Sequence, residues 1–183
     1  LIVSQLGKLL KNSIHNQKDS VRISEEISLI RNYLSIQKIR YSDKFDVDIQ
    51  IEETILNCIV PKFIIQPIVE NAIIHGIEDK VGKAHLIIRG WHEENKIIFE
   101  VKDDGVGISG EKLDQIRKLT HAQTDNSDSI GIANVDKRIK LYYGEEYGLD
   151  IKSAQNIGTI TYITMPFSDA PLTEEEGELS NHD

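Results

Sequence analysis

Three short stretches of this chain carry residues whose types and spacing could do chemistry. In QPIVENAIIHG, Gln66 to Gly76, Asn71 and His75 stand four positions apart, which is one turn of a helix. In DDGVG, Asp103 to Gly107, an acidic residue leads a glycine turn after the apolar run Ile97, Ile98, Phe99 and Val101. In SIGIANVDKRI, Ser129 to Ile139, a glycine opens a helical pattern after a long polar segment. An ionised carboxylate only accepts hydrogen bonds, so Asp103 suits an exocyclic amine and repels a carbonyl oxygen. Adenine carries the amine at its six position and guanine the carbonyl. Asn71 offers one neutral side-chain oxygen, enough for a magnesium ion that keeps most of its waters. Backbone N–H groups at a helix start, here from Gly131, suit phosphate. An adenine nucleotide with a metal ion on its phosphates uses all three parts. Read singly, each has a plainer alternative: a turn-capping Asp103, a helix-surface Asn71, a His75 satisfied by backbone. Asp104 reads as a turn residue.

The elements that must position these residues can be traced from hydrophobic period. Residues 1 to about 42 are helical in pattern, with Ile2, Leu6 and Leu9 at helical spacing and a polar break from His15 to Ser20. Ser24 reads as an N-cap, with Glu25 and Glu26 in the first turn where the helix dipole favours acids. Ile23, Ile27, Ile30 and Leu34 form a narrow stripe suited to pairing with another helix; the alternative is an ordinary helix packed on its own domain. Phe45, Val47, Ile49 and Ile51 alternate with polar residues as a half-exposed strand. Pro61 marks the start of the Asn71 helix, whose apolar face is Ile64, Ile65, Ile68, Val69, Ala72 and Ile73. Pro67 then falls inside that helix and costs it a backbone bond. Strands follow at Ala84–Trp91 and Lys96–Lys102, joined by a turn from His92 to Asn95. The segment Ile108 to Ser129 is polar, the length of a lid or binding loop, with a short helix possible from Glu111 to Leu119. Gly131–Tyr142 is a helix, and Leu149–Ser153 and Thr159–Met165 close the sheet.

Bulk properties bound the function. The 183 residues suit one medium domain with an appendage. A net charge of −9 argues against a nucleic-acid partner. No run approaches the roughly 20 apolar residues of a membrane span, and no signal-peptide pattern occurs. Cys58 is alone among apolar neighbours, which excludes an internal disulfide, fits a reducing cytoplasm and points to core packing. From Asp169 to Asp183 there are six acidic residues and no Lys or Arg. That tail is expected to be mobile. The chain begins at Leu1, and a longer parent protein is expected.

In this order the three stretches resemble the N box and glycine boxes of the histidine-kinase and gyrase-type ATPases, the Bergerat fold. They are most similar to the sensor histidine kinases with the signature QPxVENAxxHG. The resemblance implies a two-layer α/β sandwich of a mixed sheet and helices over residues 44–168. A partial dimerisation and phosphoacceptor hairpin would precede it over 1–43, and the acidic tail would follow over 169–183. It implies ATP and Mg2+ as cofactors, with Asp103 holding adenine and Asn71 serving both catalysis and the metal. Glu70 would orient a water or the metal's hydration shell, and His75 would donate to ribose or phosphate. Gly105, Gly107, Gly131, Asn134, Arg138 and Thr159 complete the expected nucleotide contacts, Arg138 having a helix-surface salt bridge as its rival role. Two positions depart from the pattern: Ile74 stands where Lys is common, and Ser129 replaces the first glycine of the last box. In related hydrolytic ATPases a general base stands four residues before the Asn; here that place is Pro67, which favours transfer over hydrolysis.

The resemblance further implies a homodimer formed through the hairpin, phosphoryl transfer to a histidine upstream of Leu1, and relay to a response regulator. The setting it implies is the cytoplasmic region of a membrane-anchored bacterial protein. The PHFLFN-like motif that holds the acceptor histidine in that subfamily does not occur here, and His15 lacks its context. A non-catalytic nucleotide-binding or dimer-switch module is the alternative of another class.

Overall fold

The computed structural model describes residues 20–42, 44–121 and 130–167. Strand β1 (Ser20–Arg22) runs directly into helix α1 (Ile23–Arg40), followed by β2 (Phe45–Ile51), β3 (Ile59–Pro61) and α2 (Gln66–Asn71). Helix α2 continues without a break as a π-helix over Ala72–Ile77. Then come β4 (Ala84–Glu93), β5 (Lys96–Asp103), α3 (Gly110–His121), α4 (Ile130–Tyr143), β6 (Gly148–Ala154) and β7 (Gly158–Pro166). Five strands form one mixed sheet in the order β2-β4-β5-β7-β6. β2 and β4 are parallel and the other pairs antiparallel. β1 and β3 pair separately.

The sheet obeys the period-2 rule. In β4 and β5 every second residue is buried, giving Ala84, Leu86, Ile88, Ile97, Phe99, Val101 and Asp103 on one face. The helices cover that face, and the result is the expected two-layer α/β sandwich. Cys58 is fully buried among apolar residues. Among the described residues no helix is long and apolar enough to cross a membrane.

The structure refines four sequence expectations. The stripe Ile23, Ile27, Ile30 and Leu34 is at most 5% exposed and belongs to the same core as the sheet, so it packs on its own domain, the second of the two readings of that helix. Ser24 is not the N-cap. The helix begins two residues earlier because backbone satisfies its first donors, Ile23 N bonding Cys58 O and Ser24 N bonding Leu56 O, each at 3.0 Å. Pro61 ends β3 instead of opening α2. Pro67 therefore sits in the first turn, where its missing N–H has no intrahelical partner to lose. Finally, the short helix expected from Glu111 to Leu119 is present with wider bounds as α3, held by Leu113 and Ile116 against Ile151 of β6. The pattern of residues 1–19, the segment 122–129 with Ser129, and the acidic tail lie outside the described residues.

Candidate functional site

The α2 segment is built to present Asn71. Its inner face buries Ile64, Ile65, Ile68, Val69, Ala72 and Ile73, as the pattern predicts. In the π-helix Glu78 N bonds Ile73 O, five residues back, at 2.9 Å. This wider turn is a form that concentrates at functional sites. Asn71 is half-buried and His75 exposed, and both line one pocket with Ile68, Ala72 and Gly76.

Asp103 closes that pocket. It ends β5, paired with Leu86 on one side and Thr159 on the other. The residue is 4% exposed, and its Oδ1 accepts Gly105 N at 2.9 Å. Burial pushes its pKa up to about 6, against hydrogen bonds from the Gly105 and Thr159 backbones that favour the ionised form. The glycines make this approach possible. A Cβ on Gly105 would overlap the Gly76 carbonyl, and Val106 N bonds that carbonyl at 2.9 Å. Gly107 has φ +65° and would meet Ala154 O. Asp104 is the turn residue expected of it, accepting His85 N at 2.7 Å and pairing with Lys80 at 2.8 Å.

The opposite wall comes from α3, α4 and β7. Thr159, Thr161, Lys112, Ile116 and Ile132 line it, with Val101 and Ile108 between. Thr159 Oγ1 lies 2.9 Å from Ser153 Oγ, which itself takes Ile108 N at 2.9 Å. The β7 hairpin thus ties to the loop that follows Gly107. Thr161 and Lys112 were missed in the sequence. Thr161 could have been found, since it is two residues from Thr159 on the inner face of an alternating strand.

The structure therefore brings Asn71, His75, Asp103 and Thr159 to one pocket. Gly131 adjoins it: a Cβ there would lie 3.7 Å from Asn71 Nδ2. Glu70 does not line the pocket; its Oε1 accepts Gln66 Nε2 at 2.8 Å. Asn134 is exposed on α4 outside the pocket lining. Arg138 has a backbone partner that the sequence did not suggest. It donates from Nη1 to Lys62 O at 2.8 Å and is not among the residues that line the pocket. It stands seven residues past Gly131, about 10 Å along the helix, which carries it away from the pocket.

Chemically the pocket is an apolar slot, with Ile68, Val101, Ile108, Ile116 and Ile132, around one buried carboxylate. That combination suits a flat heteroaromatic ring with an exocyclic amine. Among the described residues no three His, Cys, Asp or Glu side chains converge to hold a metal unaided. The donor set at the rim is one amide, Asn71. It fits a hard cation brought in on phosphate oxygens and does not fit a resident metal centre.

A family model described as "Histidine kinase-, DNA gyrase B-, and HSP90-like ATPase" matches residues 60–169, and one described as "Histidine kinase" matches residues 1–45. The chain is 34% identical over 165 residues to the sensor histidine kinase YesM of Bacillus subtilis, covering 90% of this chain and 27% of that protein. It is 30% identical over 182 residues to the sensor protein LytS of Staphylococcus saprophyticus, covering 99% of this chain and 30% of that one. The chain thus spans under a third of the length of these relatives. In fold it is similar to the histidine kinase domain of a blue-light activated histidine kinase from Erythrobacter litoralis. The TM-score there is 0.56 at 16% identity, over 82% of this chain and 64% of that one.

Proposed function

The chain belongs to the histidine kinase-, DNA gyrase B- and HSP90-like ATPase family, and from that footing we propose that it is the ATP-binding catalytic region of a two-component sensor histidine kinase. One observation carries the reading: the buried carboxylate of Asp103 closes an apolar pocket whose rim bears Asn71. Asp103 accepts a hydrogen bond from the six-amino group of adenine and repels the guanine carbonyl. Asn71 offers its side-chain oxygen to Mg2+, which when bound neutralises charge developing on the phosphate oxygens. Gly131 directs the first N–H groups of α4 toward phosphate, while His75 and Thr159 lie within the same pocket. Proline stands four residues before Asn71, so no side chain there can activate a water, and the γ-phosphoryl group is kept for transfer. In that transfer the bond from the γ-phosphorus to the bridging oxygen breaks, ADP leaves, and a P–N bond forms to an imidazole nitrogen of a histidine upstream of this region. A response regulator then receives the group.

In this reading residues 44–168 are the ATP-binding unit, 1–43 belong to a dimerisation and phosphoacceptor segment, and 169–183 are a tail. The homodimer uses the outer face of α1, where Leu29, Ile36 and Ile39 are 47%, 63% and 82% exposed. Any membrane attachment lies in other regions of the parent protein. Calorimetry with ATP, ADP and GTP tests the nucleotide assignment: both adenine nucleotides bind, GTP binds at least about tenfold more weakly, and equal affinity for GTP overturns it. Incubation with γ-labelled ATP and a separately supplied acceptor helix should place acid-labile label on that helix. ATP binding without labelling would favour the non-catalytic module.

A further inference from the structure

Glu26 is 1% exposed, yet it belongs to none of the three motifs. From the first turn of α1 its Oε1 accepts Ile65 N at 2.6 Å and Gln66 N at 3.3 Å, the two donors at the entry to α2. Ile65, the N-cap of α2, supplies no side-chain cap of its own. A carboxylate from another element does the work that Ser or Asp does at most helix starts. The same turn is held from a third side, by Arg138 of α4 on Lys62 O and beside the Glu26 carboxylate. Gly131, at the other end of α4, adjoins Asn71. Helix α2 has only six residues before its hydrogen bonding widens into the π-helix, and Asn71 is the sixth. Where Asn71 points therefore depends on how that short helix begins.

We infer that Glu26 is a positioning residue for the nucleotide site, fixing the start of α2 so that Asn71 faces the phosphate-bound metal, and that it makes the placement of Asn71 answer to α1. The inference rests on the nucleotide reading above and adds to it a mechanical link. A shift of α1 along its axis moves the Glu26 carboxylate, and with it the cap on α2. Asp103 ends β5 with its carboxylate held by Gly105 N, and it meets this segment at Gly76, near the far end of the π-helix from the cap.

The test is calorimetry of ATP on this chain with Mg2+ and with EDTA, for wild type, Glu26→Gln and Glu26→Ala, with melting curves for each. Glu26→Gln keeps a carbonyl acceptor and should preserve the magnesium enhancement within about twofold. Glu26→Ala should lose roughly tenfold of that enhancement while ATP affinity in EDTA changes by less than about twofold. A merely structural role would lower the melting temperature and leave the ratio of the two affinities unchanged below it. That outcome overturns the inference. Should Glu26→Ala not fold, Glu26→Asp retains the charge on a side chain one methylene shorter; an unchanged ratio in Glu26→Asp likewise overturns the inference. If wild type binds no ATP, the nucleotide reading and this inference fall together. If it binds ATP with no magnesium enhancement, this inference falls while the nucleotide reading stands.

Discussion

The backbone of Gly76 lies directly against the carboxylate of Asp103: a Cβ at Gly76 would fall 2.7 Å from Oδ1 and 2.9 Å from Cγ. Asp103 is buried and bonded to Gly105 N, so it is not a flexible side-chain end that could swing aside. Gly76→Ala should therefore push the carboxylate off its place at the pocket floor. Overpacking of this kind costs about 1–3 kcal/mol in stability. We expect a lowered melting temperature and, at temperatures where the variant is folded, ATP affinity reduced at least about tenfold. Wild-type affinity in a folded Gly76→Ala chain would show that the glycine contact does not set the base site.

Asp103 itself is expected to govern base choice. Losing a charge-assisted hydrogen bond costs roughly 1.5–3 kcal/mol, so Asp103→Ala should weaken ATP by about 10- to 100-fold and narrow the gap to GTP. Because burial raises its pKa to about 6, the carboxylate gains a proton as the pH falls through that value. A protonated oxygen is a poorer acceptor for the adenine amine. ATP affinity should thus drop between pH 7 and pH 5 in wild type and stay flatter in Asp103→Ala, as titration calorimetry at the two pH values would show.

The strands were legible because each face repeats every two residues, and the five-stranded sheet follows that pattern through Asp103 and Thr159. The convergence of Asn71, His75 and Asp103 was legible from residue types held in two short motifs. What was not legible depends on long-range contacts. Glu26 caps a helix 39 residues away in sequence, and nothing local distinguishes it from any acid in a first helical turn. The destination of the Ile23–Leu34 stripe is equally non-local, since a period of apolar residues does not say which surface covers it. The same holds for Arg138, whose partner is the Lys62 carbonyl, and for the π-helix at Ala72–Ile77.

Asn71 should separate metal binding from folding. It is half-buried at the pocket rim, off the apolar face of α2. Asn71→Ala should reduce the magnesium-dependent part of ATP binding by roughly tenfold and shift the melting temperature little. Loss of the folded state in Asn71→Ala would make the residue structural and remove it from the metal site.

Stability should fall as pH rises, because two buried carboxylates are held with raised pKa values. Burial lifts Glu26 from 4.5 to about 7, partly offset by the backbone N–H groups it accepts and by nearby Arg138; Asp103 rises from 3.8 to about 6. Between each pair of values the native chain binds more protons than the unfolded one. The slope of unfolding free energy with pH is then negative. The contribution is complete below about pH 4, and it is lost as the pH climbs through about 7. At 1.36 kcal/mol per pKa unit the Glu26 part is on the order of 3 kcal/mol. Glu26→Gln keeps an acceptor for Ile65 N but has no charge to desolvate. Urea unfolding at pH 5 and pH 8 should show wild type losing clearly more stability across that range than Glu26→Gln. The slope left in the variant belongs in part to Asp103. Identical slopes in the two proteins would mean that Glu26 titrates in the folded chain as it does in the unfolded one, and that its burial carries no electrostatic cost.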